Sequence, residues 1–361
     1  MSVDSIHSVV VRKLVIPFNI KPVTANGSLS DVALVAVDII TQSGVVGHAY
    51  VWSFSPLFLT PLAATTEALG TLIIGEKPVP LVIESKLQAQ LRLIDTPGLM
   101  GLALAGIDMA VWDIHAKQLN LPLSQLLGAD VTEVQAYNSC GLWIQDPAVL
   151  ADEADRLLQM HHFNALKLRL GRTDPRQDLD AIREVKARIG NCHLMVDYNQ
   201  SQTVTSALER AAMIDDEGLC WIEEPVRHGD YAGSARVATA TTTPIQTGEN
   251  LCSNFDLQAA IAAGAADYYM PDVQRIGGVS GWLRAAALCS ANDLPMSSHL
   301  FPEVSAHLLA ATPTRHWLEY VDWANPVLKH PLVVENGQAV VPQRPGIGVE
   351  WNEDVIEQYL V

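Results

Sequence analysis

Six ionisable residues in the second half of the chain recur at a nearly constant interval. Asp197, Glu223, Glu249, Asp272, His299 and Glu319 are separated by 26, 26, 23, 27 and 20 residues. Each closes a short apolar run: HLMVDY, CWIEEP, PIQTGE, DYYMPD, PMSSHL and HWLEY. A charge inside such a run is costly unless it is paired or ligated, so six in succession point to a site rather than a solvated face. Asp197, Glu223 and Glu249 are carboxylates that would repel one another and take up protons if they converged without a cation. A hard divalent ion resolves this, and all-oxygen ligation suits Mg2+ better than Zn2+. The alternative is an ion-pair network, for which only Lys167 and Arg169 lie in a comparable register. Of the adjacent Glu223 and Glu224 only one can face a metal, because neighbouring strand residues point to opposite faces. Glu223 is the expected ligand.

His299 lies one interval beyond Asp272. An aspartate bonded to one imidazole nitrogen fixes the tautomer, so the other nitrogen can shuttle a proton near neutral pH. His161, His162, His228, His307 and His316 fall on helices, turns or strand starts and are expected to be structural or exposed. Lys167 and Arg169 are two apart and share one side of their strand, which makes an anion site beside the metal. Each like charge should also depress the pKa of Lys167. Arg169 stays charged at any ordinary pH and is a poor neutral base.

The elements that must position these groups follow from the rhythm of the chain. From Val134 onward, eight apolar runs alternate with helical patterns such as Asp178–Ile189, Thr203–Asp215 and Gly281–Ala291. This is the pattern of an α/β fold, a closed (β/α)8 TIM barrel whose reactive residues sit at the strand ends. The rival, an open doubly wound sheet, would carry a glycine-rich dinucleotide turn, and none is present. Residues 1–130 read differently. Ser8–Ile16 and Ala33–Ile40 are strands followed by a turn at Gly44–Gly47, and Leu57–Leu72, Leu81–Leu93 and Gly101–Gln118 are helical, which together make an α+β unit. The expected organisation is a capping domain at 1–130, a barrel at 131–322, and a segment at 323–361. In that last segment Asn336-Gly337 marks a hairpin, and the segment returns to the cap.

Composition narrows the function. The chain has 361 residues, 23 Lys and Arg against 40 Asp and Glu, and a formal charge of −17. That balance argues against nonspecific nucleic-acid or anionic-lipid binding, both of which reward basic residues. The N-terminus lacks the pattern of a secretory signal, and no stretch of 18 residues is free of charge and apolar throughout. Five cysteines without a CxxC pair fit reduced thiols in a cytoplasmic protein.

Specific stretches carry a resemblance: AGIDMAVWD from Ala105, MVDYNQS from Met195, WIEEP from Trp221, GEN from Gly248, IGGVSGW from Ile276, SSHLF from Ser297 and SAHLLAATPT from Ser305. Over nearly its whole length the chain resembles the enolase superfamily and, within it, the mandelate racemase subgroup, close to the racemase that names it. The resemblance implies an N-terminal α+β cap, a modified (β/α)7β barrel and a C-terminal return to the cap. It implies Mg2+ on Asp197, Glu223 and Glu249, a dyad of Asp272 and His299, and an electrophilic glutamic acid at Glu319. Asn199, Ser139 and Asn26 are the expected substrate-binding residues, and homo-oligomers are the rule in the family. Two departures matter. The racemase carries Lys-x-Lys at the end of the second strand, whereas this chain has Arg169 at the second position. Its capping loop is also apolar, whereas Thr24–Asp31 here is largely polar, although Trp52, Phe54 and Trp143 could offer apolar walls.

The expected chemistry is abstraction by His299 of the proton alpha to a small-molecule carboxylate held by Mg2+ and Lys167. The enediolate is stabilised by the metal, Lys167, Arg169 and protonated Glu319. With one acid-base residue available, syn dehydration of a sugar acid, aldonate or aldarate, is favoured. A racemase or epimerase of a 2-hydroxy acid is the alternative, and a noncatalytic acid-binding protein is a third reading.

Overall fold

The computed structural model describes residues 4–94 and 96–361. The N-terminal unit begins with strand β1 (Ile6–Pro17), the two-residue strands β2 (Val23–Thr24) and β3 (Gly27–Ser28), β4 (Asp31–Thr41) and β5 (Val46–Trp52). An antiparallel sheet runs in the order β1-β4-β5, while β2 and β3 form a separate hairpin. Helices α1 (Pro56–Thr71), α2 (Pro80–Gln90), α3 (Leu99–Gln118) and the single turn α4 (Leu123–Leu126) follow. Ser55 caps α1 and Pro56 occupies its first position, a pairing that satisfies one orphan donor and needs none at the next residue. Gly47 lets β5 press on α3: a Cβ there would lie 2.1 Å from the Ala110 carbonyl oxygen. By length and composition α3 could cross a membrane. Here its apolar side chains lie against β5, α1 and the barrel, and 61% of the window is buried.

The barrel alternates β6 (Glu133–Asn138), α5 (Pro147–Gln159), β7 (Ala165–Arg169), α6 (Pro175–Ile189), β8 (His193–Asp197) and α7 (Val204–Ile214). It continues with β9 (Ile222–Glu223), α8 (Tyr231–Ala240), β10 (Ile245–Thr247), α9 (Asn254–Ala262) and β11 (Tyr268–Tyr269). It ends with α10 (Gly278–Ala291), α11 (Pro302–Ala310) and β12 (Leu318–Tyr320). Side chains of Asp146, Asp174, Thr203, Asp230 and Ser253 accept from the first free N–H groups of α5 to α9, so each helix start is written locally. The strands from β6 to β11 pair in parallel, and β12 closes on β6 through Glu319↔Tyr137.

One expected strand is reduced. Pro295–His299 joins its neighbours only by the bridges Tyr269↔Met296, Met296↔Arg315 and Asp272↔His299. Leu300 and Phe301, both at φ 49°, turn the chain sharply into α11 and end the pairing. The tail forms its expected hairpin, but on the barrel. Its hairpin, β13 (Val334–Glu335) and β14 (Gln338–Val340), turns at Asn336 and Gly337 but adds to barrel strand β6 instead of the cap. From Gln343 onward the segment returns to the cap: Gly346 bridges Pro122, Ile347 N donates to Asp113 Oδ1 at 2.7 Å, Trp351 Nε1 donates to Asp38 at 2.6 Å and Leu360 bridges Leu14.

The barrel interior explains where the chemistry stands. Tyr137, Ala165, Met195, Trp221 and Trp317 form a buried apolar layer. Two residues further along the same strands come Ser139, Lys167, Asp197, Glu223 and Glu319, which the period of two aims at the same interior one layer higher. The lower layer closes the bottom, and the upper layer opens toward the cap. Asp108 of α3 fastens that cap, accepting from Ser280 N at 3.0 Å and Ser280 Oγ at 2.6 Å at the start of α10.

Candidate active site

Asp197, Glu223 and Glu249 end three neighbouring strands, and one carboxylate oxygen from each lies within 4.8 Å of the others. Asp197 and Glu223 are almost wholly buried. Glu223 is further held by Trp221 Nε1 at 2.9 Å and Lys167 Nζ at 2.7 Å. Burial pushes its pKa up to about 8; Lys167 opposes this, while Asp197, Glu249 and Glu319 add to it. That uncompensated negative charge is the condition a hard divalent cation relieves, and the donor set is all oxygen. Glu224 turns away at φ 37° and accepts from Asn250 Nδ2 at 2.7 Å, so it stands outside the triad.

His299 Nδ1 lies 2.7 Å from Asp272 Oδ2. The other aspartate oxygen accepts from the backbone N–H groups of Gln274 and Arg275, at 2.8 and 3.2 Å. Asp272 therefore orients the ring, and Nε2 is turned toward Glu249 at 3.4 Å and Glu319 at 3.9 Å. Burial disfavours the charged ring, but Glu249, Asp272 and Glu319 outweigh it and raise the pKa to about 9.

Two electrostatic expectations are corrected. Lys167 was expected to have a depressed pKa. Burial does work in that direction, but Glu223, Glu319 and Asp197 lie 2.7, 2.7 and 3.6 Å away and raise it well above its usual value. Arg169 is the weaker influence because it points elsewhere. Glu319 was expected to be protonated. Burial favours that state, yet Lys167, His299 and Arg169 together hold its carboxyl below the usual range.

Arg169 stacks on Trp143, its guanidinium carbon 4.0 Å from the ring centre. It donates to Ser139 Oγ at 2.7 Å and to the Gly141 carbonyl at 3.2 Å. Ser139 Oγ in turn donates to Glu319 at 2.7 Å. The other expected binding residues also bond within the protein. Asn199 donates to both oxygens of Asp197, through its N–H at 2.7 Å and Nδ2 at 2.8 Å. Asn26, exposed at the tip of the β2–β3 hairpin, donates to the Asn199 carbonyl and so ties the cap to a triad strand. Phe54 lies against Arg275, 5.0 Å from its guanidinium carbon.

Sequence reasoning missed several contributors. Trp221 and Gln274 lie two residues before Glu223 and after Asp272, and that interval was the available signal. Gln274 Oε1 accepts from Trp52 N at 2.7 Å, which joins the cap to the dyad strand. Trp323 had no signal; it packs between Trp52 and Trp143, with ring centres 6.1 and 6.5 Å away.

Comparison with known proteins decides the family. Residues 6–128 match the mandelate racemase / muconate lactonizing enzyme N-terminal domain, and residues 149–355 match the enolase C-terminal domain-like family. The chain belongs to the enolase superfamily. Among the relatives of this superfamily member is the L-talarate/galactarate dehydratase of Salmonella typhimurium, 30% identical over 90% of this chain and 82% of that protein. A magnesium-bound enolase from the alpha-proteobacterium bal199 superposes with a TM-score of 0.97 at 39% identity, covering 99% of this chain and 100% of that one. An enolase from Bradyrhizobium, complexed with magnesium and mandelic acid, superposes with a TM-score of 0.95 at 36% identity, covering 100% and 99%.

Proposed function

We propose that this protein abstracts the proton alpha to a carboxylate in a Mg2+-dependent reaction, and that the reaction is dehydration of a sugar acid. The observation that carries this reading is the asymmetry of the acid-base machinery. His299 is oriented by Asp272, with Nε2 toward the carboxylate ring. Across the barrel, Arg169 is committed to Ser139, backbone carbonyls and Trp143. A guanidinium does not give up its proton at ordinary pH, so one residue serves as base. The dehydratase relative supports the same reaction class.

Asp197, Glu223 and Glu249 would hold the Mg2+, which supplies positive charge against the substrate carboxylate as it gains electron density. Lys167 shares that carboxylate. His299 Nε2 takes the alpha proton, and the enediolate forms beside Lys167 and Arg169, charges already in place. Protonated His299 then returns its proton to the leaving β-hydroxyl on the same face. Ser139 links Arg169 to Glu319 and holds both at the mouth. Assembly into a homo-oligomer belongs to this reading and is checked by light scattering.

A racemase or epimerase reading is favoured by one observation, the mandelic acid held by the Bradyrhizobium neighbour. A panel of aldonic, aldaric and simple 2-hydroxy acids with Mg2+ separates the two. Loss of water to a 2-keto-3-deoxy acid is expected. Inversion of the alpha carbon without loss of water would establish the racemase, and no turnover or exchange of any acid would restore the noncatalytic reading.

A further inference from the structure

Strand β5 is an edge of the cap sheet, and it reaches both members of the dyad. At Trp52 the free backbone N–H donates to Gln274 Oε1 at 2.7 Å, and the Gln274 N–H in turn donates to Asp272 at 2.8 Å. Two residues earlier, on the same face of the strand, Tyr50 meets the chain that follows His299. Its ring stacks on Phe301, with centres 4.9 Å apart and planes inclined by 24°. Its hydroxyl donates to Glu303 Oε2, in the first turn of α11, at 2.9 Å. The rings of Tyr50 and Trp52 pack edge to face at 5.3 Å, so the two contacts belong to one block.

Tyr50 holds a strained piece of backbone. Leu300 and Phe301 both stand at φ 49°, a left-handed region that residues with a Cβ keep only where their surroundings over-determine it. Glu319 Oε2 accepts from Leu300 N at 3.0 Å. Ser305 donates from N to the Phe301 carbonyl at 2.8 Å and from Oγ to the Leu300 carbonyl at 2.9 Å. Tyr50 adds a hold from the cap. These two residues set the direction in which the chain leaves His299, so a turn that relaxed would carry the imidazole with it. Filling space does not explain the choice of side chains. Tyr50, Phe301 and Glu303 are at most 1% exposed. A phenylalanine at 50 and an apolar residue at 303 would fill the same volume without burying a carboxyl. What the hydroxyl and carboxyl add is direction: their hydrogen bond fixes the tilt of the ring that lies on Phe301.

Resting on the reading of His299 as the base, we propose that Tyr50 and Glu303 are positioning residues for it. Glu303 pins the phenol, the phenol ring holds Phe301 in its left-handed turn, and the turn keeps Nε2 directed toward the carboxylate triad. Both act through the backbone of Leu300 and Phe301, while Gln274 keeps Asp272 in line from the other end of the same strand. The cap is thereby part of the proton-transfer machinery as well as the cover of the site.

The test uses the Mg2+-loaded full-length protein and three readouts. They are alpha-proton exchange in 2H2O with whichever acid of the aldonate, aldarate and 2-hydroxy acid panel exchanges fastest, Mg2+ titration, and the NMR resonance of the His299 ring, identified by its absence from His299→Asn. Tyr50→Phe keeps the ring and removes the hydroxyl; Glu303→Leu removes the acceptor, and Glu303→Gln keeps one. Tyr50→Phe and Glu303→Leu should each lower kcat for exchange at least fivefold and shift the His299 resonance, with KM and Mg2+ affinity within twofold of wild type. Their double variant should fall no further than either alone, because both cut the same link. Glu303→Gln should keep kcat within twofold of wild type. Circular dichroism confirms the fold, and Tyr50→Phe decides alone should Glu303→Leu not fold. A kcat within twofold of wild type in the folded variants, whatever their stability, overturns the proposal, as does a loss confined to KM or Mg2+ affinity. Were wild type to exchange no alpha proton with any acid, the reading of the function would fall, and the ring resonance would decide: unshifted, it overturns the positioning role, and shifted, it upholds it.

Discussion

Asp108 fastens the cap to the barrel, and its titration should set part of the protein's stability. It lies on α3 and accepts from Ser280 N and Oγ at the start of α10. Burial raises its pKa from 3.8 to about 7, against the two Ser280 hydrogen bonds. A carboxyl raised on folding keeps its proton in the native state while the unfolded chain loses it. Stability should therefore fall as pH rises from about 4 to about 7 and level off above. At 1.36 kcal/mol per pH unit the whole loss is on the order of 4 kcal/mol. Asp108→Asn retains an acceptor for Ser280 N and cannot titrate. Its stability should lack this contribution, so the variant gains on wild type as pH rises and exceeds it at pH 8. The altered contact with Ser280 Oγ subtracts about 1 kcal/mol from the gain. Urea denaturation of both proteins at half-unit pH steps from 4 to 8.5 reads the difference, in which other titrating groups cancel. A wild-type-minus-variant difference that does not change with pH would show that Asp108 does not titrate on folding.

His299→Asn should abolish alpha-proton exchange while leaving Mg2+ affinity within a few-fold, read by NMR and metal titration; wild-type-like exchange would remove His299 as the base. Glu249→Gln should weaken Mg2+ binding at least tenfold by calorimetry, because one of three charged ligands becomes neutral. Arg169→Lys places an ionisable amine opposite His299 and should create or raise racemisation of a mandelate-like acid, followed by chiral chromatography; an unchanged partition would count against Arg169 as the switch. Gly47→Ala drives a methyl group to within 2.1 Å of the Ala110 carbonyl and should lower stability by about 2 kcal/mol or more in chemical denaturation.

The strand-end residues were legible because each interrupts an apolar run at the interval of one βα unit. Asp197, Glu223 and Glu249 converge on that pattern alone, and so do Asp272 and His299. What the pattern hides is distance. The pKa of Lys167 turns on three carboxylates contributed by β8, β9 and β12, 30 to 152 residues away in sequence. Spacing placed Arg169 beside it, but the aromatic face of Trp143 draws that guanidinium aside. The protonation of Glu319 fails as an expectation for the same reason. The seventh strand is cut short after His299 by two left-handed residues, Leu300 and Phe301, which carry no glycine to announce the turn. The hairpin at Asn336-Gly337 was plain from its turn residues, whereas its partner strand depends on which sheet edge is free.

In this enzyme His299 is proposed to remove the proton alpha to a carboxylate in a reaction that expels water. This is tested most directly by incubating the Mg2+-loaded enzyme with its best acid in 2H2O and following the product by NMR. The expected product is a 2-keto-3-deoxy acid with one solvent deuterium at C3, formed by wild type and not by His299→Asn. Recovery of the starting acid with deuterium at an inverted alpha carbon and no loss of water would contradict it.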